Sequence, residues 1–428
     1  MHRTSAEPAP EGIGQILSGR HRKRSKLREM VDLAEPAPVN DFDPLAPETN
    51  DSAHAVYRDL RKSCPVAHSS AYGGFWALLR HADVDAAARD PELFISSVRA
   101  VVPSDPRGIR RPPLNFDAPA HTPFRKALER TLERERLVSM EPRLREHAVR
   151  ELEPLIRAGH GDIAKQFGTT YPAFVAAEWL NLPDDKVYEL AETASIWVDA
   201  WRRQDPETVT AKSNDMYAMA RQLVADRRES PRDPTLDPAS ALLEASYEGA
   251  PLDDELIVGA LRQSLVVGLV APPLLLGAIA IHLADSPELH DQLRSDVTLV
   301  APAIEEFLRL YTPYRGFSRT TSRDVELHGR VIHPAEPVTL VYASANRDET
   351  VFSEPDEFVM GRSNIGRHLA FGAGPHRCLG MSLARLSIRI AVEELVTRTR
   401  RIEIAGDIEP TRMPELGPQR VPMRLIPV

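Results

Sequence analysis

Ten residues near the C-terminus decide the fold of this chain, Phe371-Gly372-Ala373-Gly374-Pro375-His376-Arg377-Cys378-Leu379-Gly380. The first two glycines permit a tight turn that side chains would block, and Gly380 lets the backbone pass close to a flat ligand. Cys378 stands at the entry to a predicted helix, 380–398, whose N-terminal amides stabilise a thiolate. The pattern therefore predicts chemistry at this cysteine.

Three roles compete for Cys378. A structural cysteine needs no particular loop, and a nucleophile needs a base and an oxyanion hole, for which the sequence offers no convincing Cys/His/Asn set. The third role is a thiolate ligand of haem iron, which increases electron density on the iron and favours O–O cleavage. The string Phe-Gly-x-Gly-x-His-x-Cys-x-Gly resembles the haem-binding loop of the cytochrome P450 family without a mismatch. The resemblance implies haem b as cofactor, with Cys378 as the axial ligand of its iron.

The pattern of the remaining chain is mostly helical. Apolar residues at three- and four-residue spacing predict helices over 50–63, 81–89, 120–136, 140–158, 172–180, 187–202, 206–228, 253–284, 287–294, 299–311 and 380–398. Strand signals are shorter, over 75–79, 325–328, 331–332, 338–342 and 421–427. These patterns predict a mainly α protein with small β-sheets, and the resemblance implies the cytochrome P450 fold, a helical triangular prism around haem.

Composition excludes several classes of protein. Of the 428 residues, 42% are hydrophobic and 27% charged, which is typical of a soluble globular protein. The formal charge of −9 argues against nucleic-acid binding. Only Cys64 and Cys378 are cysteines, so a disulfide framework is not expected. The N-terminus lacks the apolar core of a signal peptide, and we expect a cytoplasmic protein without a membrane anchor.

Residues 1–41 are predicted to be a mobile extension. They are rich in Pro, Glu, Arg and Ser and carry a basic cluster at 20–24. The resemblance covers residues 42–428, which implies one haem-thiolate catalytic domain after the extension.

Further motifs agree with the resemblance. Glu306 and Arg309 lie three apart on one helix face, a spacing that by itself usually means a surface ion pair. In the family this pair is buried and joined by an arginine from the irregular stretch before the cysteine, where Arg362 stands here. The resemblance gives the three residues a structural role.

The two propionates of haem need cations or hydrogen-bond donors. The segment 117–125 resembles a family helix entry whose histidine and arginine match His121 and Arg125. Arg319, at the start of a β segment, and His368 match further propionate-binding positions, and His376 is a fifth candidate. Each of these residues alone would be an ordinary surface residue. Their order and spacing in the sequence are what indicate that they bind the propionates.

The oxygen side of the site departs from the family pattern. Most members carry an acid and a threonine on the long apolar helix, where they help to deliver protons to dioxygen. The alignment places Gly268, Val270 and Ala271 there, so Val270 replaces the acid and Ala271 the threonine. No hydroxyl or acid occurs between Leu265 and Ile281. Pro272 and Pro273 should kink this helix and leave backbone carbonyls unpaired.

The same apolar stretch is only marginally long enough to span a membrane. Its glycines and prolines and the charged residues that bracket it favour a helix buried in a large core instead.

The resemblance implies a monooxygenase that oxidises a small, mainly apolar organic substrate, with a role in secondary metabolism as one option. Three alternatives stay open. Oxidative coupling or cyclisation needs less proton relay, a peroxide-driven reaction needs no reduction of dioxygen, and a non-catalytic haem protein needs neither.

We expect the substrate to lie between the 98–115 loop, the apolar helix, residues 313–317 and the turn near 417–418. The apolar side chains of this pocket are predicted to be Val98, Val101, Val102, Val267, Val270, Ala271 and Phe317. A substrate carboxylate has candidate partners in Arg99, Arg107, Arg110, Arg111 and Arg315, although most of a charge run usually faces solvent.

The expected partners are dioxygen, the small substrate, and a ferredoxin with its reductase, because no flavin or iron–sulfur motif is present. A basic docking patch for ferredoxin is predicted at Lys126, Arg130, Arg367, Arg377 and Arg385.

Overall fold

Helices form most of the regular structure in the computed structural model, which describes residues 39–104 and 108–428. They are α1 (Pro47–Asp51), α2 (Ala53–Ser63), α3 (His81–Arg89), α4 (His121–Arg130), α5 (Arg134–Ala158), α6 (Gly168–Leu180), α7 (Val187–Arg202), α8 (Pro206–Glu229), α9 (Pro238–Glu244), α10 (Asp254–Val267), α11 (Ala271–Asp285), α12 (Pro287–Ser295), α13 (Val300–Leu310), α14 (Tyr342–Ala345) and α15 (Met381–Arg398). Residues Asn40–Val428 form one unit. The predicted extension 1–41 lies almost wholly outside the described residues.

The strands are short and form small sheets. They are β1 (Val66–Ser69), β2 (Phe75–Leu78), β3 (Phe94–Ile95), β4 (His160–Asp162), β5 (Ser246–Tyr247), β6 (Ala250–Pro251), β7 (Phe317–Thr321), β8 (Val325–Leu327), β9 (Arg330–Ile332), β10 (Pro337–Leu340), β11 (Thr399–Ile404), β12 (Glu409–Pro410), β13 (Pro418–Arg420) and β14 (Pro422–Pro427). The largest sheet has the order β1-β2-β10-β7-β3, in which only β2 and β10 are parallel. This architecture confirms the prediction of a mainly α protein with small sheets.

The structure differs from the predicted helices at the start of α5. The spacing predicts helices over 120–136 and 140–158, whereas the chain breaks at 131–133 and α5 begins at Arg134. The Thr131 hydroxyl donates to the Leu128 carbonyl at 2.8 Å and accepts from the Trp179 indole at 2.9 Å. These bonds hold the end of α4 against α6, so a tertiary contact places the break.

The long apolar segment is two helices. α10 ends at Val267, three turn residues follow, and α11 begins at Ala271 with prolines in its first turn. Because prolines lack N–H groups, the carbonyls of Gly268 and Leu269 have no partner four residues on. By length and composition alone, Asp254–Asp285 is apolar enough to cross a membrane, and 67% of its most apolar window is buried inside the protein. This burial is what a core helix of a large domain requires.

A buried ion pair connects α13 to the irregular stretch that precedes the cysteine. Arg309 donates to both carboxylate oxygens of Glu306, at 2.8 and 2.7 Å, and Arg362 donates to the same carboxylate at 3.1 Å. Glu306 and Arg309 are at most 1% exposed. Burial alone raises the pKa of Glu306, but the hydrogen bonds and charge of Arg309 outweigh it and lower the pKa. The carboxylate is therefore ionised and held by two cations.

The same arginines hold backbone that has little regular structure of its own. Arg309 donates to the carbonyls of Asn346, Pro355 and Glu357, at 2.6–3.0 Å. The amide of Val359 donates to Glu306 at 3.1 Å. The ion pair thus replaces the ladder hydrogen bonds that a helix or strand would supply.

Replacing Arg309 with methionine should lower the free energy of unfolding by about 3–5 kcal/mol, because the Glu306 carboxylate would stay buried with one cation fewer. Urea denaturation followed by far-ultraviolet circular dichroism measures the change. The matched control is Lys186→Met, which removes the Lys186–Glu189 pair of the same i,i+3 spacing, 2.9 Å long but exposed. We expect no measurable change there, and equal losses in both variants would contradict a special role for the buried pair.

Candidate active site

The cysteine loop has the tight backbone that its glycines predict. Gly372 and Gly374 have φ of 68° and 66°, in the left-handed region. A Cβ at Gly374 would lie 2.1 Å from the carbonyl oxygen of Ala88 in α3, so only glycine fits this approach. The amide of Cys378 donates to the Phe371 carbonyl at 2.8 Å, which closes the loop just before α15. Loop and helix together present the cysteine to an internal cavity.

This cavity has a volume of about 390 Å³ and Cys378 lies in its wall. The Cys378 side chain is exposed to the open space there. Desolvation by the protein around it nevertheless raises the pKa of its thiol, and the amide of Gly380 with the charges of Arg125, Arg385 and Arg377 only partly opposes this. A metal ion that binds the sulfur has to displace its proton, and the surrounding donors stabilise the thiolate that results.

Four of the predicted propionate-binding residues line the cavity together, namely His121, Arg125, Arg319 and His376. The rings of His121 and His376 meet edge-on, 4.6 Å apart between centroids. His121 is buried and its Nε2 atom has no hydrogen-bond partner. Burial, then the charges of Arg319, His121 and Arg125, lower the pKa of His376 to about 3. These donors come from α4, β7 and the cysteine loop, and they form a site for an anion.

The two arginines of this group are held by other contacts. Arg125 donates to Glu129 and to the carbonyl of Arg377, both at 2.6 Å, so α4 is tied to the cysteine loop. Arg319 is 4% exposed and donates to the Ser318 carbonyl at 2.8 Å. Both side chains are positioned before any ligand binds, which reduces the entropy cost of binding.

His368 lies outside this group. It does not line the cavity, and its Nε2 atom is 3.1 Å from Glu305. Its Nδ1 atom accepts from the amide of Ala370 at 3.2 Å. Both ring nitrogens are therefore engaged within the protein, whereas His376, the fifth candidate from sequence, faces the cavity. A propionate contact from His368 stays a prediction without support from its position.

The opposite wall contains the break between α10 and α11. Gly268, Val270, Ala271 and Pro272 line the cavity there. A Cβ placed on Gly268 or on Gly380 would meet no atom within 4 Å, so there is open space beside both glycines. No side chain among Gly268–Pro272 carries an acid or a hydroxyl. This wall can offer backbone carbonyls but no side-chain proton donor.

These features fit an iron porphyrin. A thiol in the cavity wall, an unpartnered buried imidazole nitrogen and two fixed arginines match the iron and the propionates, and the space beside Gly380 suits a flat ring.

The remaining walls were only partly predicted. Val101, Val267 and Phe317 line the cavity as expected, but Val98, Val102 and the 417–418 turn are not among its lining residues. Three of the chain's four tryptophans, Trp179, Trp197 and Trp201 on α6 and α7, were not predicted to line it. Their clustering in two neighbouring helices was the available signal, since aromatic side chains commonly line ligand cavities.

Of the candidate carboxylate partners, only Arg111 lines the cavity. Arg99 and Arg110 do not, and Arg315 is buried against the carbonyls of Glu415 and Thr49. Arg107 lies outside the described residues.

A second, larger depression of about 1220 Å³ lies at the cysteine loop and α4. Its cations are Arg89, Arg125, Lys126, Arg367, Arg377 and Arg385. Arg130, which the sequence placed in a docking patch, is not among its lining residues and pairs with Glu244 at 2.7 Å. Arg385 is neutralised by a two-pronged bond to Glu305, 2.7 Å at each oxygen. Lys126 and Arg367 are exposed.

Comparisons with known proteins agree with this geometry. The family model described as cytochrome P450 matches residues 278–416. A linalool 8-monooxygenase of Pseudomonas putida is 30% identical, over 84% of this chain and 91% of the relative. Cytochrome P450 130 of Mycobacterium tuberculosis is 32% identical, over 86% and 93%. The structure of cytochrome P450 CYP109Q5 from Chondromyces apiculatus superposes with a TM-score of 0.81 at 26% identity, over 90% and 98%.

Family, fold and relatives agree on a haem-iron oxidoreductase of the monooxygenase type. The prediction of the cytochrome P450 fold is thereby confirmed, since this solved structure covers nine-tenths of the chain. The chain belongs to the cytochrome P450 family.

Proposed function

We propose that this protein inserts oxygen from O2 into a small, mainly apolar substrate, with haem b as cofactor and Cys378 as the residue that would hold its iron. The observation that carries the proposal is that Cys378 and four cationic or imidazole donors line one cavity. The bound haem-thiolate supplies dioxygen activation, and the protein supplies orientation and electrostatics. A relative is named as a monooxygenase of linalool, which supports an organic substrate, and a role in secondary metabolism belongs to the same proposal.

The chain's own residues then have separate tasks. His121, Arg125, Arg319 and His376 bind the propionates and so fix the orientation of the ring. Gly380 leaves room for the ring beside the sulfur. The triad of Glu306, Arg309 and Arg362 holds the irregular stretch that leads into the cysteine loop. Residues 42–428 constitute the catalytic domain.

Protons need another route than the side chains at Val270 and Ala271. The carbonyl of Gly268, released by Pro272, is an acceptor in the cavity wall that can hold a water molecule. Such a water, or a hydroxyl of the substrate, moves the proton. Oxidative coupling or cyclisation is the second candidate reaction, because it needs fewer proton transfers and therefore suits the apolar wall at Val270 and Ala271. The same wall also suits a peroxide-driven reaction.

Electrons come from a ferredoxin and its reductase. Lys126 and Arg367 are exposed cations beside the cysteine loop and suit an acidic partner. We place the protein in the cytoplasm, since its one membrane-length helical segment, among the residues described, is mostly buried inside the domain.

The Cys378→Ser variant should lose the red-shifted Soret band of the reduced, carbon-monoxide-bound protein, because a hydroxyl does not replace the thiolate as electron donor. Cys64→Ser is the control, because Cys64 does not line the cavity. The Soret band of this variant should be the same as that of the wild type. A red-shifted band in Cys378→Ser would contradict the assignment of Cys378 as the iron ligand.

The Ala271→Thr variant should raise the fraction of reductant that appears as product severalfold, with unchanged regiochemistry, because it restores a hydroxyl to the oxygen side. Ala176→Thr places the same hydroxyl on another wall of the cavity and should have no such effect. If Ala271→Thr leaves this fraction unchanged, proton delivery does not limit hydroxylation, and the oxidative coupling of substrates is the favoured reaction.

The Lys126→Ala, Arg367→Ala double variant should slow ferredoxin-driven turnover roughly tenfold at low salt and leave peroxide-driven turnover unchanged, because steering by charge acts only on the protein partner. Arg130→Ala, a neighbouring exposed arginine outside the depression, is the control. Equal loss of both activities in the double variant would refute a docking role.

A further inference from the structure

The four tryptophans of the chain differ in whether their indole N–H groups have an acceptor. Trp76 donates to a carboxylate at 2.8 Å, and Trp179 donates to a hydroxyl at 2.9 Å. The indole nitrogens of Trp197 and Trp201 are buried and have no hydrogen-bond partner in the part of the chain that the structure describes. Buried indole N–H groups usually have a partner, so two unpaired ones on the same helix require an explanation.

Both unpaired indoles belong to the wall of the cavity that contains Cys378. Trp197 and Trp201 lie about one helical turn apart on α7, line this cavity, and are 5% and 7% exposed. Their rings stack with centroids 5.4 Å apart, and the guanidinium of Arg262 lies 4.8 Å from the centre of the Trp197 ring. These contacts hold the two rings in place before any ligand binds, which reduces the entropy cost of binding.

An occupant of the cavity can supply the acceptor that the two indoles lack. Helix α6, which packs against α7, contributes Pro172, Val175 and Ala176 to the cavity wall, and their side chains are apolar. Trp179 on the same helix already donates to Thr131, and its indole nitrogen cannot accept. Because a buried donor without an acceptor is costly, a ligand that brings an acceptor to this wall gains affinity.

From this arrangement we propose that the substrate is an apolar carbonyl compound whose carbonyl oxygen accepts from the indole N–H groups of Trp197 and Trp201. The inference rests on the proposed monooxygenase function and names its substrate class. A carbonyl oxygen has two lone pairs and no proton, so it suits donors that lack an acceptor. A hydroxyl would bring a proton that an indole nitrogen cannot accept. The hydrogen bonds to the carbonyl fix the orientation of an otherwise apolar substrate in the cavity.

Equilibrium dialysis of the purified haem-containing protein tests the proposal with two labelled probes, 2-adamantanone and adamantane, which differ by one carbonyl in a rigid frame. The wild type should bind the ketone at least as tightly as the hydrocarbon, although the ketone is the less apolar of the two. The Trp197→Phe, Trp201→Phe double variant removes both N–H groups and keeps two aromatic rings. It should weaken ketone binding roughly 5- to 30-fold more than hydrocarbon binding, because the loss of ring volume affects both probes.

Trp179→Phe is the matched control, because Trp179 lines the same cavity but its N–H group is bound to Thr131. This variant should weaken the binding of both probes equally. Three results would each overturn the substrate class: tighter binding of the hydrocarbon by the wild type, no binding of either probe, or an equal loss for both probes in the double variant. The carbon-monoxide spectrum of every protein is recorded separately, so a failure of the haem-thiolate assignment is distinguishable from a failure at the two indoles.

Discussion

The cysteine side of this molecule depends on the buried ion pairs that the carboxylate of Glu306 forms. This carboxylate accepts from two arginines and one backbone amide, and those arginines in turn satisfy carbonyls along residues 346–357. That stretch contains neither helix nor strand, so its polar groups need partners from elsewhere. A buried ion pair is costly to desolvate, and here it serves as a hydrogen-bonding frame for the backbone before the proposed ligand, Cys378.

The break between α10 and α11 shapes the other side of the cavity. Two prolines at the start of α11 prevent the helix from continuing through Gly268–Val270. The wall that results carries backbone acceptors in place of an acid and an alcohol. The chemistry proposed for this wall therefore follows from the backbone rather than from side chains.

Cationic and imidazole side chains reach the cavity from several elements of the fold. His121, Arg125, Arg319 and His376 face it from α4, β7 and the cysteine loop, and Arg377 and Arg385 line it from the cysteine loop and α15. The side chain of Arg111 is held by Tyr217 on α8. The first four residues suit the propionates of haem.

The cysteine loop and most helix boundaries followed from the sequence alone, because glycine spacing and apolar periodicity are local properties of the chain. The role of Cys378 as haem ligand was a prediction that the resemblance to the family implied. The sequence also predicted that the oxygen side departs from the family pattern, because it has Val270, Ala271 and two prolines there. Only the tertiary structure decided which histidine faces the cavity, His376 rather than His368, since the pairing of His368 with Glu305 joins residues 63 positions apart. It also decided that Arg111, among the four candidates that the structure describes, lies in the wall, because burial depends on packing that no local pattern encodes.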